Sequence, residues 1–264
     1  MENKVVLVLV DGMRPDGVCE CGEPYLQDLA AQSSASFAAA TVFPSITLPC
    51  HTSLFFGVDP QRHGVLTNEW RPFARPFDSL GDLVARHFKK AAMFYNWEPL
   101  RDLNRPGSLA CSHYREIPRT HEEALRSEQE LTALTADYIQ KEQPDFLFLY
   151  LGYTDIAGHG YGWMTQHYFE ALANASRCIR RLKQALPEEY SFIVTADHGG
   201  HDQDHGLNRP EDMTIPIIFN GKAFSPNTDL ENLRLIDIAP TVADLLALHP
   251  LPEWKGKSIL SEKS

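Results

Sequence analysis

Five short runs of nearly continuous apolar residues recur along the chain: KVVLVLV (4–10), AAMFYNW (91–97), DFLFLYLG (145–152), YSFIVTA (190–196) and TIPIIFNG (214–221). A strand with one wet face alternates apolar and polar residues, whereas these runs suit strands covered on both faces of a mainly parallel sheet. Between them lie EPYLQDLAAQSSA, SLGDLVARHFKK, HEEALRSEQELTALTADYIQKEQ and QHYFEALANASRCIRRLKQAL, each with apolar residues at helical spacing. The closing DIAPTVADLLAL places Asp237 and Pro240 as a helix start. Strand alternating with helix predicts an α/β fold, a doubly wound mainly parallel sheet with helices on both faces. Without repeats or a low-complexity linker, one domain over 1–264 is expected. Residues 98–120 carry the least periodicity and are expected to form a long surface loop or a small cap.

Composition narrows the function. The chain has 264 residues, 43% hydrophobic and 22% charged, which is enough to bury a sizeable core. A formal charge of −11 argues against nucleic-acid polymers or an anionic membrane as partner, since both call for a basic footprint. Small anionic substrates stay open, because a metal site reverses the field within one cleft. The five cysteines (Cys19, Cys21, Cys50, Cys111, Cys178) form no CxxC pair, so reduced thiols and a cytoplasmic setting are expected. The apolar start MENKVVLVLVDG is too short for a signal sequence or a membrane span and reads as a buried strand.

In an open α/β sheet, ligands bind beyond the carboxyl ends of the strands. The first strand ends in Asp11-Gly12; the run at 145–152 leads into GYTDIAGHG, with Asp155 and His159; the run at 190–196 ends in DHGGHDQDHG, with Asp197, His198 and His205. Aspartate and imidazole together suit zinc and related divalent ions. Six candidates match two ions with three protein ligands each, and two ions about 4 Å apart can clamp both oxygens of a phosphoryl displacement. Any one piece has an ordinary explanation, as a cap, a surface pair or a turn; their convergence on one sheet edge points to a metal centre.

The stretch FPSITLPCHTSLFFG (43–57) then gains a meaning. Thr47 sits where a helix begins, so it reads either as an N-cap or as a nucleophile activated by the helix dipole and a metal ion.

Together VDGMRPD, FPSITLPCHTSLFFGVDPQRHGVLTNEW, YTDIAGHGYG, TADHGGHDQDHG and IDIAPTVADLL, in that order, resemble the alkaline phosphatase superfamily, most closely its type I phosphodiesterase/nucleotide pyrophosphatase branch. The resemblance implies two divalent metal ions, zinc foremost with manganese possible. It makes Thr47 the nucleophile and a ligand, beside Asp11, Asp197 and His198 on one ion, and gives Asp155, His159 and His205 to the other. It also makes Asn68 a donor to a phosphate oxygen. Two departures bear on nucleotide preference: Leu48 stands where the branch often has an aromatic, and PCH replaces PNH. Cys50 does not suggest a sulfatase, because CHTSL lacks C-x-P-x-R. His201 competes with His205 for the third-ligand role, and His51 and His63 read as structural. Arg14 and Asp16 read as a helix-start ion pair.

The expected activity is phosphate-ester hydrolysis, foremost a phosphodiesterase or nucleotide pyrophosphatase working through a phospho-threonine, on a small substrate. Tyr153, Tyr161 and Trp163 are candidates either for stacking on the leaving group or for packing. Alternatives are a phosphomonoesterase or phosphonate hydrolase on the same metals, a non-catalytic binding protein, and a metal-free hydrolase using Thr47 and His51.

Overall fold

The structure, a computed structural model, describes residues 3–69 and 77–260. Trp70, the last residue of the second motif stretch, lies outside them. The strands are β1 (Lys4–Val10), β2 (Ser34–Ala40), β3 (Ala91–Tyr95), β4 (Cys111–Tyr114), β5 (Phe146–Leu151), β6 (Tyr190–Thr195), β7 (Thr214–Asn220) and β8 (Thr228–Asp229). The helices are α1 (Pro15–Glu20), α2 (Tyr25–Ala31), α3 (Thr47–Phe56), α4 (Pro60–His63), α5 (Leu80–Arg86), α6 (His121–Glu142), α7 (Tyr153–Tyr161), α8 (Gln166–Ala185), α9 (Pro210–Met213) and α10 (Ile238–Leu245).

The sheet runs β4-β3-β5-β1-β6-β7-β2-β8. Its pairings are parallel except for β7, which lies antiparallel to both β6 and β2. Side chains of β1 from Val5 to Val10 and all of β5 and β6 are buried, as their continuous apolar runs require. Helices α6, α7, α8, α1 and α2 pack as one layer, and α3, α5 and α10 as another. The fold is the mainly parallel α/β sheet that the pattern predicts. No described helix is long and apolar enough to cross a membrane.

Two segments differ from the sequence reading. Residues 98–120 hold a 3-10 turn (Glu98–Leu103), whose Leu100 and Leu103 are buried, and the edge strand β4. The tail of the helical stretch EPYLQDLAAQSSA leaves the helix at Gln32 and enters β2. Ser and Ala carry too little apolar area to announce a strand; the pairing with β7 decides it.

Three neighbouring parallel strands, β5, β1 and β6, form the middle of the sheet. Leu9 pairs with both Tyr150 and Thr195. Continuing that register past the strand ends sets Asp11 level with Asp197 and beside Gly152, the residue before α7. The sheet's hydrogen-bond ladder thereby brings the acidic strand ends together.

Candidate metal centre

Asp11, Asp197 and His198 offer ligand atoms within 4.8 Å of one another, as do Asp155, His198 and His205. His198 Nε2 stands 3.3 Å from Asp11 Oδ1, 3.3 Å from Asp197 Oδ2 and 3.3 Å from Thr47 Oγ1. Ligands bonded at about 2.0–2.1 Å to a tetrahedral cation lie about 3.3 Å apart, the spacing these three atoms keep from His198 Nε2. The expected trio Asp155, His159 and His205 is looser. His205 Nε2 is 3.7 Å from Asp155 Oδ1 and His159 Nε2 is 3.5 Å from Asp155 Oδ2, while the group whose atoms all lie within 4.8 Å of one another has His198 in place of His159.

Each imidazole is oriented through its other nitrogen. His198 Nδ1 donates to the Gly199 carbonyl (2.8 Å), His205 Nδ1 to Ser45 O (2.8 Å) and His159 Nδ1 to Gln203 O (2.9 Å). That fixes the tautomer and leaves each Nε2 unprotonated, the arrangement of a metal-ligating histidine. Thr47 is the first residue of α3 and is 4% exposed; its hydroxyl donates to His198 Nε2.

Residues 5–214 match the sequence model of the family described as type I phosphodiesterase / nucleotide pyrophosphatase. The chain belongs to this family. Among curated relatives it is similar to 2,3-bisphosphoglycerate-independent phosphoglycerate mutases. One from Clostridioides difficile is 28% identical over 52% of this chain and 28% of its own length; one from Prochlorococcus marinus is 34% identical over 52% and 27%. The matched region thus spans little more than a quarter of those relatives' length. Murine ectonucleotide pyrophosphatase / phosphodiesterase 5, solved as an inactive form with AMP, shares the fold at a TM-score of 0.78 and 16% identity, over 95% of this chain and 96% of that one. The phosphonate monoester hydrolase of Agrobacterium radiobacter does so at 0.76 and 15%, over 98% and 76%. The family match, the relatives and the shared fold place the chain in the alkaline phosphatase superfamily.

In this family member the donor set fits bound cations. Asp11 Oδ1, Asp155 Oδ1 and Asp197 Oδ2 are buried with no hydrogen-bond partner. Burial, with the neighbouring aspartates second, pushes all three carboxyls up: Asp197 to about 8, Asp155 to about 7 and Asp11 well above the usual carboxylate range. Burial, with His198 second, drives His205 down to about 2. Crowded buried carboxylates beside neutral imidazoles are what a divalent cation stabilises.

The other sequence candidates have the following contacts. His51 is fully buried; its Nδ1 donates to the Thr47 carbonyl (2.8 Å), not to the hydroxyl, and burial pulls it down to about 3. His63 bridges Ser53 Oγ and the Val65 N–H. His201 bonds Asp212 Oδ1 (2.6 Å). Arg14 pairs with Asp16 and donates to the Gly200 carbonyl. Tyr153 and Trp163 are 3% and 5% exposed and pack, whereas Tyr161 is 45% exposed and stacks on His167 (4.0 Å between centroids). Asn68 is exposed, and its Oδ1 accepts from Leu48 N (2.8 Å), which leaves its amide N–H groups as donors.

Three contributors escape a reading of the sequence alone. Tyr150 donates its hydroxyl to Asp11 Oδ2, and Thr41 donates to the Asp197 carbonyl. Asp212, fully buried, takes His201 on one oxygen and the Leu207 N–H on the other, stapling the loop that carries His205. Only Tyr150 leaves a trace in the sequence, as the lone hydroxyl-bearing residue of an otherwise apolar strand.

Proposed function

We propose that this protein is a zinc-dependent phosphodiesterase of the nucleotide pyrophosphatase type, with Thr47 as nucleophile, acting on a small phosphate ester in the cytoplasm. The observation that carries the reading is the position of Thr47 Oγ1, 3.3 Å from His198 Nε2 beside Asp11 and Asp197 at the start of α3. Asp11, Asp197, His198 and Thr47 would hold one cation, and Asp155, His159 and His205 the other, with His198 between them. The imidazole share of the set favours zinc over manganese, and the five free thiols support a reducing compartment. Bound there, two divalent cations supply Lewis-acid activation of hydroxyl and water and neutralise charge on the phosphoryl group.

The Thr47 oxygen forms a bond to phosphorus as the bond from phosphorus to the departing alkoxide breaks, giving a phospho-threonine and an alcohol. Water then adds its hydroxyl to phosphorus and returns a proton to Thr47, releasing the monoester. The positive end of the α3 dipole faces the developing charge. Asn68, with its carbonyl oxygen held by the Leu48 N–H, aims its amide donors at a phosphate oxygen. A neutral donor suits a singly charged diester better than a doubly charged monoester. The arginine bonded to the metal loop, Arg14, is itself committed to Asp16.

The test compares turnover of bis-p-nitrophenyl phosphate with that of p-nitrophenyl phosphate by zinc-reconstituted protein, with Thr47→Ala as control. A ratio well above one, lost in the control, is expected. A ratio well below one transfers the enzyme to the monoesterases, and activity surviving chelation overturns the metal reading.

A further inference from the structure

Trp163 touches every segment that carries a proposed histidine or aspartate ligand. Its indole Nε1 donates to the Gly12 carbonyl (3.0 Å), next to Asp11. Its backbone N–H donates to Asp202 O (2.8 Å), in the turn closed by the bridge between His201 and Asp204 that leads to His205. The ring meets His159 edge-on (5.2 Å between centroids, 83°) and His205 likewise (6.0 Å, 66°).

Three glycines close on the same ring. A Cβ at Gly12 would stand 3.2 Å from Trp163 Cζ2, one at Gly158 2.6 Å from Cδ2, and one at Gly200 2.2 Å from Cε2. Gly12 follows Asp11, Gly158 precedes His159, and Gly200 lies two residues after His198. Only Gly12 among the three has a positive φ (+66°). At Gly158 and Gly200 the missing side chain therefore serves approach to the indole, not backbone conformation.

From this packing we infer that Trp163 is a positioning residue: its indole is the common wall that sets the spacing between the two halves of the metal centre. The inference rests on the two-metal reading above. The half built on Asp11, Asp197 and His198 is also fixed by the β1–β6 ladder. His159 and His205 lie on a helix and a loop and depend more on the ring. A smaller ring thus loosens the second site selectively.

The experiment titrates metal-free wild type, Trp163→Phe and Trp254→Phe with Zn2+, following chelator competition and tryptophan emission. Wild type should bind two equivalents and change its emission. Trp163→Phe should keep the first equivalent within about twofold, weaken the second tenfold or more, and regain turnover at saturating zinc. The emission change should vanish in that variant and persist in Trp254→Phe. If Trp163→Phe does not fold, Gly200→Ala, which keeps the indole but drives a methyl against it, should show the same selective loss. Wild-type affinity for both equivalents, or equal weakening of both, overturns the role of Trp163. Fewer than two equivalents on wild type overturns the two-metal reading instead, so the two failures are distinguishable.

Discussion

Replacing Asp197 by Asn should stabilise the metal-free protein and destabilise the metal-loaded one. Asp197 is fully buried beside Asp11 and Asp155, and burial followed by the charge of Asp155 lifts its carboxyl from an ordinary 3.8 to about 8. A carboxyl whose folded value is raised leaves the folded state protonated while the unfolded chain ionises. Its stability is therefore full below about pH 4 and is lost as pH rises toward 8. The loss runs at about 1.4 kcal/mol per pH unit and reaches on the order of 5 kcal/mol at pH 8. Asn is never charged and escapes that loss, less whatever its amide forfeits in imperfect hydrogen bonds. With zinc the order reverses near pH 6, where the carboxyl loss is only about 3 kcal/mol, because a bound ion stabilises by about 4 kcal/mol at a thousand times its Kd and the amide is a poor ligand. Urea unfolding from pH 5 to 8, with chelator and with zinc, reads both effects. If Asp197→Asn is the less stable protein in chelator at pH 8, or if the gap does not widen with pH, the buried-carboxylate account is wrong.

Further outcomes follow from the same geometry. Cys50 and Cys178 are buried and their thiols pushed up, Cys178 to about 12, so a thiol reagent should label exposed Cys19 readily and these two only on unfolding. Glu128, fully buried and raised to about 7 by burial, accepts the Tyr153 N–H (2.9 Å) at the start of α7. Glu128→Ala should cost about 2–3 kcal/mol in urea unfolding by orphaning that group, whereas Glu128→Gln keeps the acceptor and should be at least as stable as wild type at pH 8. Asn68→Ala should lower kcat on the diester by roughly 10²-fold, the scale of one lost oxyanion donor, and leave zinc affinity unchanged.

The strands that matter most for the site were legible in the sequence, because β1, β3, β5, β6 and β7 are buried on both faces and so keep near-continuous apolar runs. The ligand candidates followed from strand ends, since in a parallel sheet the carboxyl ends share one edge. The long amphipathic helices α6 and α8 were equally plain. The strands β2 and β4 were not: one is built from Ser and Ala and the other is a four-residue edge, so their state is set by the partners they pair with. Nor could spacing along the chain show that His198 falls between two groups of candidate ligands, or that His51 donates to the carbonyl of Thr47 and not to its hydroxyl. The same holds for Gly12, Gly158 and Gly200, which are far apart in sequence and converge on one indole. Apolar periodicity is a local property and fixes which segments are buried; the distances between side chains on different segments are set only when strand register and close packing bring those segments together.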